Sequence, residues 1–110
     1  MLSVFAVGTL SFADTVDAAK WKKFDSGSVK VKGQTIKYYA FIKGSTIQVD
    51  YYYKNKFITG YDLVKGKNKV TIRVLNSEGY YTSKNTYKTK KSLKSYYYSF
   101  NNLVKKQMKK

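Results

Sequence analysis

Hydrophobic and polar residues alternate with a period of two from Trp21 to about Tyr87. The alternation is clearest in the segments 28–33, 34–44, 45–54 and 68–77. Residues that fall on the shared apolar face are Val29, Val31, Ile36, Tyr38, Ala40, Ile42, Ile47, Val49, Tyr51, Tyr53, Val70, Ile72 and Val74. Such alternation is typical of strands in a sheet that is packed on one side and faces water on the other.

Short polar breaks separate these segments at regular intervals. They fall at Gly27, Gly33, Gly44-Ser45, Gly60, Gly66 and Asn76 to Gly79. Short strands with regular turn signals indicate a sandwich or a barrel. We therefore expect residues 20–90 to form a small antiparallel β-sandwich.

One segment within this region resembles a known family. Residues Leu63 to Lys88 contain a Gly66–Asn68 turn, a Val-Thr-Ile-Arg-Val strand, a second turn at Asn76 to Gly79 and an aromatic residue at Tyr87. This order resembles the last two strands of bacterial immunoglobulin-like surface domains. The resemblance implies an immunoglobulin-like sandwich that acts as a spacer or as a module contacting carbohydrate or cell wall.

The C-terminal segment 91–110 changes period and predicts a basic amphipathic helix. The apolar stripe, about 140° wide, comprises Leu93, Tyr96, Tyr97, Phe100, Leu103, Val104 and Met108. Ser92 is suited to cap the helix N-terminus. Two roles are open for this helix: it packs on the strands, or it lies on a membrane surface. An additional β-strand is a third interpretation, since Ser95 to Phe100 has high strand propensity.

The first nineteen residues resemble a signal peptide. An apolar run from Met1 to Phe12 is followed by small residues, and Val16 and Ala18 fit the cleavage pattern, although no basic residue precedes the run. This segment predicts a secreted protein, either released or associated with the cell wall. A short N-terminal helix or strand is the alternative.

Charge determines which partners are plausible. The chain has 22 basic and 6 acidic residues, a net charge of +16, and loss of residues 1–19 would leave 22 against 4, or +18. Such an excess on a small domain indicates an anionic partner. We expect an anionic lipid, a teichoic-acid-like polymer or an acidic polysaccharide.

Composition argues against catalysis. The chain contains neither histidine nor cysteine, which removes the commonest general base, the commonest metal ligand and any thiolate site. The carboxylates after residue 19 are Asp25, Asp50, Asp62 and Glu78. Asp50 and Asp62 would act as an acid–base pair only if the fold brought them together. We predict no enzyme activity, no metal and no cofactor.

The predicted contact residues are basic and aromatic. The lysines expected to face an anionic surface are Lys88, Lys90, Lys91, Lys94, Lys105, Lys106, Lys109 and Lys110. The predicted aromatic contact residues are Tyr52 and Tyr98. Tyr52 faces away from the buried side of its strand, which carries Tyr51 and Tyr53. Nucleic acid is expected to bind only nonspecifically, because 21 of the 22 basic residues are lysine and base readout favours arginine.

The sequence therefore predicts a secreted, cationic, non-enzymatic protein that binds anionic envelope surfaces. Its signal-like start, the segment Lys20 to Phe24 and its Lys- and Tyr-rich body are similar to small cationic exoproteins of Bacillus-type bacteria. That likeness implies antimicrobial action or elicitation of plant defence. Alternatives are a structural or adhesive wall module and a nonspecific single-stranded nucleic-acid binder.

Overall fold

The computed structural model describes residues 21–110, so the signal-peptide prediction lies outside the described residues. Within residues 21–110, six strands are followed by one helix. Their bounds are β1 Lys22–Val31, β2 Gln34–Lys43, β3 Thr46–Tyr53, β4 Lys56–Gly66, β5 Lys69–Leu75, β6 Tyr81–Lys88 and α1 Leu93–Lys109.

The strands form one antiparallel meander in which each strand pairs with the next along the chain. Two of the hairpin turns have paired left-handed residues. Lys32 and Gly33 have φ of 51° and 82°, and Lys54 and Asn55 have φ of 50° and 66°. Positive φ at both central positions gives the turn the twist that a right-handed β-ribbon requires. The meander therefore follows from short local connections.

The prediction of a small antiparallel, immunoglobulin-like β-sandwich is wrong. The fold is a single open six-stranded sheet with a C-terminal helix. Alternation along a strand shows that one face is buried, but it does not say whether a second sheet or a helix covers that face. Here α1 covers it, contacting β1, β3 and β4.

The predicted C-terminal helix is present, and the strand interpretation of this segment is wrong. The hydroxyl of Ser92 caps the helix by accepting a hydrogen bond from the Ser95 amide at 3.3 Å. Lys106 and Lys109 lie in the last turn, where positive charge interacts favourably with the helix dipole.

The core lies between the sheet's inner face and α1. The predicted apolar residues of the strands all lie in this core or pack against it. From the helix, Tyr97 is fully buried, and the partly buried residues that pack on the core are Leu93, Tyr96, Phe100, Val104 and Met108. The apolar stripe of α1 is therefore turned toward the sheet, except for Leu103, which is 58% exposed.

A polar network crosses this apolar interface. Tyr51 and Tyr61 both donate hydroxyl hydrogen bonds to the Asn101 side-chain oxygen, Tyr61 at 2.9 Å. The Asn101 Nδ2 donates to the Tyr97 hydroxyl at 3.4 Å, and Tyr97 donates to Asp25 at 2.7 Å. Burial raises the pKa of Tyr51, Tyr61 and Tyr97, so all three hydroxyls stay protonated and able to donate.

Replacing Asn101 tests this network. Asn101→Ala leaves buried tyrosine hydroxyls without an acceptor, so we expect a loss of about 2–4 kcal/mol in the free energy of unfolding. The measurement is urea denaturation followed by near-UV circular dichroism. Asn102→Ala is the matched control, because Asn102 is exposed on the next helix position. A loss of equal size in both variants would contradict the role assigned to Asn101.

Candidate functional site

The eight lysines predicted to bind an anionic surface do not form one patch. Lys88, Lys90, Lys91 and Lys94 lie around the start of α1, whereas the other four lie at its end. A helix of 17 residues is about 25 Å long, so the two groups are far apart.

Two of these lysines also pack on aromatic rings. The Lys94 ammonium lies 5.4 Å from the centre of the Phe24 ring, and that of Lys105 lies 5.4 Å from the centre of the Tyr38 ring. These contacts place the start of α1 near the beginning of β1. They direct its C-terminus toward the sheet end that carries the β1–β2 and β3–β4 turns.

Those two turns bring lysines that the sequence analysis did not select. Lys32 and Lys54 occupy left-handed positions, which side chains other than Gly, Asn and Asp adopt at a cost of about 1–2 kcal/mol. We name the set Lys32, Lys54, Lys105, Lys106, Lys109 and Lys110 the basic end. In the sequence, these turns are indicated by the pairs Lys32-Gly33 and Lys54-Asn55, each of which joins two strands.

Most of the positive charge faces solvent. Seventeen of the twenty lysines within residues 21–110 are exposed, and Lys43, Lys65 and Lys105 are half-buried. Such a surface attracts anions over a range set by the ionic strength.

The predicted aromatic contact residues lie in different places. Tyr52 is half-buried on the outer face of the sheet, where its ring centre lies 5.7 Å from that of Tyr39 and 6.0 Å from that of Phe57. Burial, together with the Asp50 carboxylate, raises the pKa of Tyr52 to about 12. Tyr98 is 50% exposed on α1 and packs against Phe24 and Tyr97.

The outer face of the sheet also carries two buried carboxylates. Asp50 pairs in register with Tyr39 on β2 and Gly60 on β4, and Asp62 pairs with Gln48. The fold thus brings Asp50 and Asp62 onto neighbouring strands of one face, at diagonal positions. No described helix or strand lies over this face.

Asp62 is fully engaged by its neighbours. Arg73 donates to both of its oxygens, at 2.8 and 3.0 Å, and the Tyr81 hydroxyl donates to one of them at 2.9 Å. The Arg73 guanidinium also lies 4.6 Å from the centre of the Tyr81 ring. Asp62 therefore accepts hydrogen bonds through both oxygens from Arg73 and Tyr81.

The Asp50 carboxyl, in contrast, has a raised pKa. It is 8% exposed, and burial raises its pKa from 3.8 to about 6, although a hydrogen bond from Gln48 at 3.3 Å acts in the opposite direction. The sequence offered no signal for this burial, because Asp50 falls on the polar side of the alternation. It follows from the register with Tyr39 and Gly60.

Other kinds of site have little support within residues 21–110. No group of three or more acidic side chains there lies close enough to hold a metal ion. A cavity between Tyr51, Tyr61, Phe100 and Val104 measures about 100 Å³, which is small for a ligand pocket. No helix in this part of the chain is long and apolar enough to cross a membrane.

Comparison with protein-family models, with curated proteins and with solved structures finds no match for this chain.

Ionisation of Asp50 predicts a specific pH dependence of stability. Because its pKa is higher in the folded chain, Asp50 stabilises the fold fully below about pH 4 and loses that contribution as the pH rises through about 6. We expect the wild-type free energy of unfolding, relative to Asp50→Asn, to fall by about 3 kcal/mol over this range. Urea denaturation from pH 4 to 7 measures it.

The matched control for this experiment is Glu78→Gln, which removes one carboxylate from an exposed turn. This variant shows how much of the change in the free energy of unfolding with pH comes from altering a single surface charge. A wild-type stability that rose with pH relative to Asp50→Asn would contradict the buried state of Asp50.

Proposed function

We propose that this protein is a secreted, non-enzymatic binder of anionic cell-envelope polymers, which it contacts through the basic end. The observation that carries the proposal is the placement of Lys32 and Lys54 at positive φ. Glycine or asparagine would be less strained there, so retained strain at two adjacent turns suggests a role for the charge.

The end of α1 adds to this charge. Lys105, Lys106, Lys109 and Lys110 lie on the part of the helix that runs toward the two turns. Lys106, Lys109 and Lys110 are exposed, and Lys105 is half-buried against Tyr38. Lysine carries a compact and strongly hydrated charge, which suits a polymer with repeated phosphates better than a single bidentate ligand.

The buried stripe of α1 favours a polymer over a bilayer interior. Tyr97 is fully buried, and five further apolar side chains of the helix pack against the core. Inserting this stripe into lipid would require the helix to leave the sheet and expose the core. Antimicrobial action or host recognition would then follow from envelope binding rather than from membrane lysis.

Substitution at the two turns separates charge from stability. Lys32→Asn with Lys54→Asn relieves strain, so we expect the free energy of unfolding to rise by about 0.5–1 kcal/mol. The same change should weaken binding to soluble polyphosphate about tenfold in low salt, because two phosphate contacts are lost. Isothermal titration calorimetry over a series of NaCl concentrations measures it.

Asn55→Gly is the matched control, since it alters a positive-φ residue of the same turn without changing charge. We expect its polyphosphate affinity to equal that of the wild type. Unchanged affinity in the double lysine variant would exclude the two turns from the binding surface.

The envelope component is identified by a second experiment with the intact chain. We expect sedimentation with purified Gram-positive wall, loss of that binding after the wall's phosphate polymers are extracted, and no dye release from anionic vesicles. Binding is scored by the protein left in the supernatant. Dye release from anionic but not from uncharged vesicles would instead assign a membrane-active role.

A further inference from the structure

A corner of the outer face combines a buried carboxylate with three aromatic rings. The Tyr39 and Tyr52 rings adjoin, as do those of Tyr52 and Phe57. A Cβ atom built on Gly60 would lie 3.2 Å from an Asp50 carboxylate oxygen and 3.2 Å from the Phe57 ring. Asp50 and Phe57 therefore meet above Gly60, and we name these four side chains the Asp50 corner.

The Asp50 carboxylate has unused capacity to accept hydrogen bonds. Within residues 21–110, its side chain accepts one hydrogen bond, from Gln48 to Oδ1 at 3.3 Å. An ionised carboxylate has about four acceptor positions. Asp62 on the same face shows the contrast, because it accepts from Arg73 and Tyr81 through both oxygens. A buried acceptor that is left so open is suited to a ligand.

The chemistry of the corner matches an ammonium group. A carboxylate supplies opposite charge, and aromatic faces attract cations through their quadrupoles, more strongly where water is excluded. Burial and, after it, the charge of Asp50 raise the pKa of Tyr52 to about 12. The Tyr52 hydroxyl therefore remains neutral near the carboxylate at pH 7.

Two lysines flank the corner on the same face. The Lys23 ammonium lies 5.4 Å from the centre of the Tyr39 ring, and Lys37 pairs in register with Tyr52. A free cation would be repelled by these charges, whereas a ligand with a phosphate beside its ammonium would be attracted by both parts of the site. A second copy of the chain is disfavoured, since two molecules of charge +16 repel.

We propose that the Asp50 corner binds the alkylammonium of a phosphate-linked substituent on a wall polymer, with Lys23 and Lys37 holding the phosphate. The site lies between exposed lysines on the outer face, where a linear polymer reaches more easily than a flat bilayer. The wall source rests on the proposed function, but the ammonium site itself does not.

The test is a titration of the full chain with phosphocholine, choline and inorganic phosphate at pH 7.5 and constant ionic strength. Amide shifts of Asp50 and Gly60 are followed by NMR. We expect saturable binding of phosphocholine that is at least several-fold tighter than that of choline. Asp50→Asn should weaken phosphocholine binding about tenfold and leave phosphate binding unchanged. Tyr52→Leu should weaken it several-fold.

Control variants keep this proposal distinct from the polyanion proposal. Glu78→Gln removes an equal charge from an exposed turn and should not change phosphocholine affinity. Lys32→Asn with Lys54→Asn should retain phosphocholine binding, and Asp50→Asn should retain polyphosphate binding. Equal phosphocholine affinity in wild type and Asp50→Asn, or no binding at all, would overturn the assignment.

Two further outcomes bear on the ligand and its source. Equal affinity for choline and phosphocholine would remove Lys23 and Lys37 from the site and overturn the zwitterionic assignment. Phosphatidylcholine vesicles form a separate arm: Asp50-dependent capture by these vesicles, with none by wall material, would overturn the polymer as the source.

Discussion

The hydrogen bonds between the Asn101 amide and the tyrosines around it fix how α1 lies on the sheet. Apolar side chains alone would permit several helix positions, because burial is not directional. The amide oxygen must meet Tyr51 and Tyr61 while its nitrogen faces Tyr97. These contacts set one rotation and one height for the helix, and both the closed inner face and the direction of the basic end depend on them.

Fixing the helix also determines what its lysines do. With the apolar stripe held against the sheet, the charged side of α1 faces solvent along its length. Most lysines of residues 21–110 are exposed to solvent, where dissolved ions screen their mutual repulsion. A protein with so few carboxylates has little internal compensation, and an anionic partner would relieve this repulsion.

The two faces of the sheet differ because α1 covers one of them, whereas no helix or strand of residues 21–110 lies over the other. On the inner face, Tyr51 and Tyr61 of the tyrosine network help to line a cavity of about 100 Å³. On the outer face, Arg73 and Tyr81 donate hydrogen bonds to Asp62, whereas Asp50 lies among aromatic rings and accepts one side-chain hydrogen bond from within residues 21–110. Asp50 and Asp62 thus differ in their hydrogen-bond partners because the cross-strand register gives them different neighbours.

The sequence by itself determined the apolar faces of β1, β2, β3 and β5, the turns at Gly33 and Gly44-Ser45, and the C-terminal helix from Ser92, because these depend on local periodicity and capping. The breaks predicted at Gly27 and Gly60 are wrong, since both residues lie inside strands, and the turn at Lys54 and Asn55 was not predicted. Tyr51 and Tyr52 were correctly separated to opposite faces in this way. Only the tertiary structure decided that a helix, rather than a second sheet, covers the core. It also decided that Lys32 and Lys54 lie at the end toward which α1 runs, and that Asp50 is buried beside Tyr39, since cross-strand register and helix docking depend on residues distant in sequence.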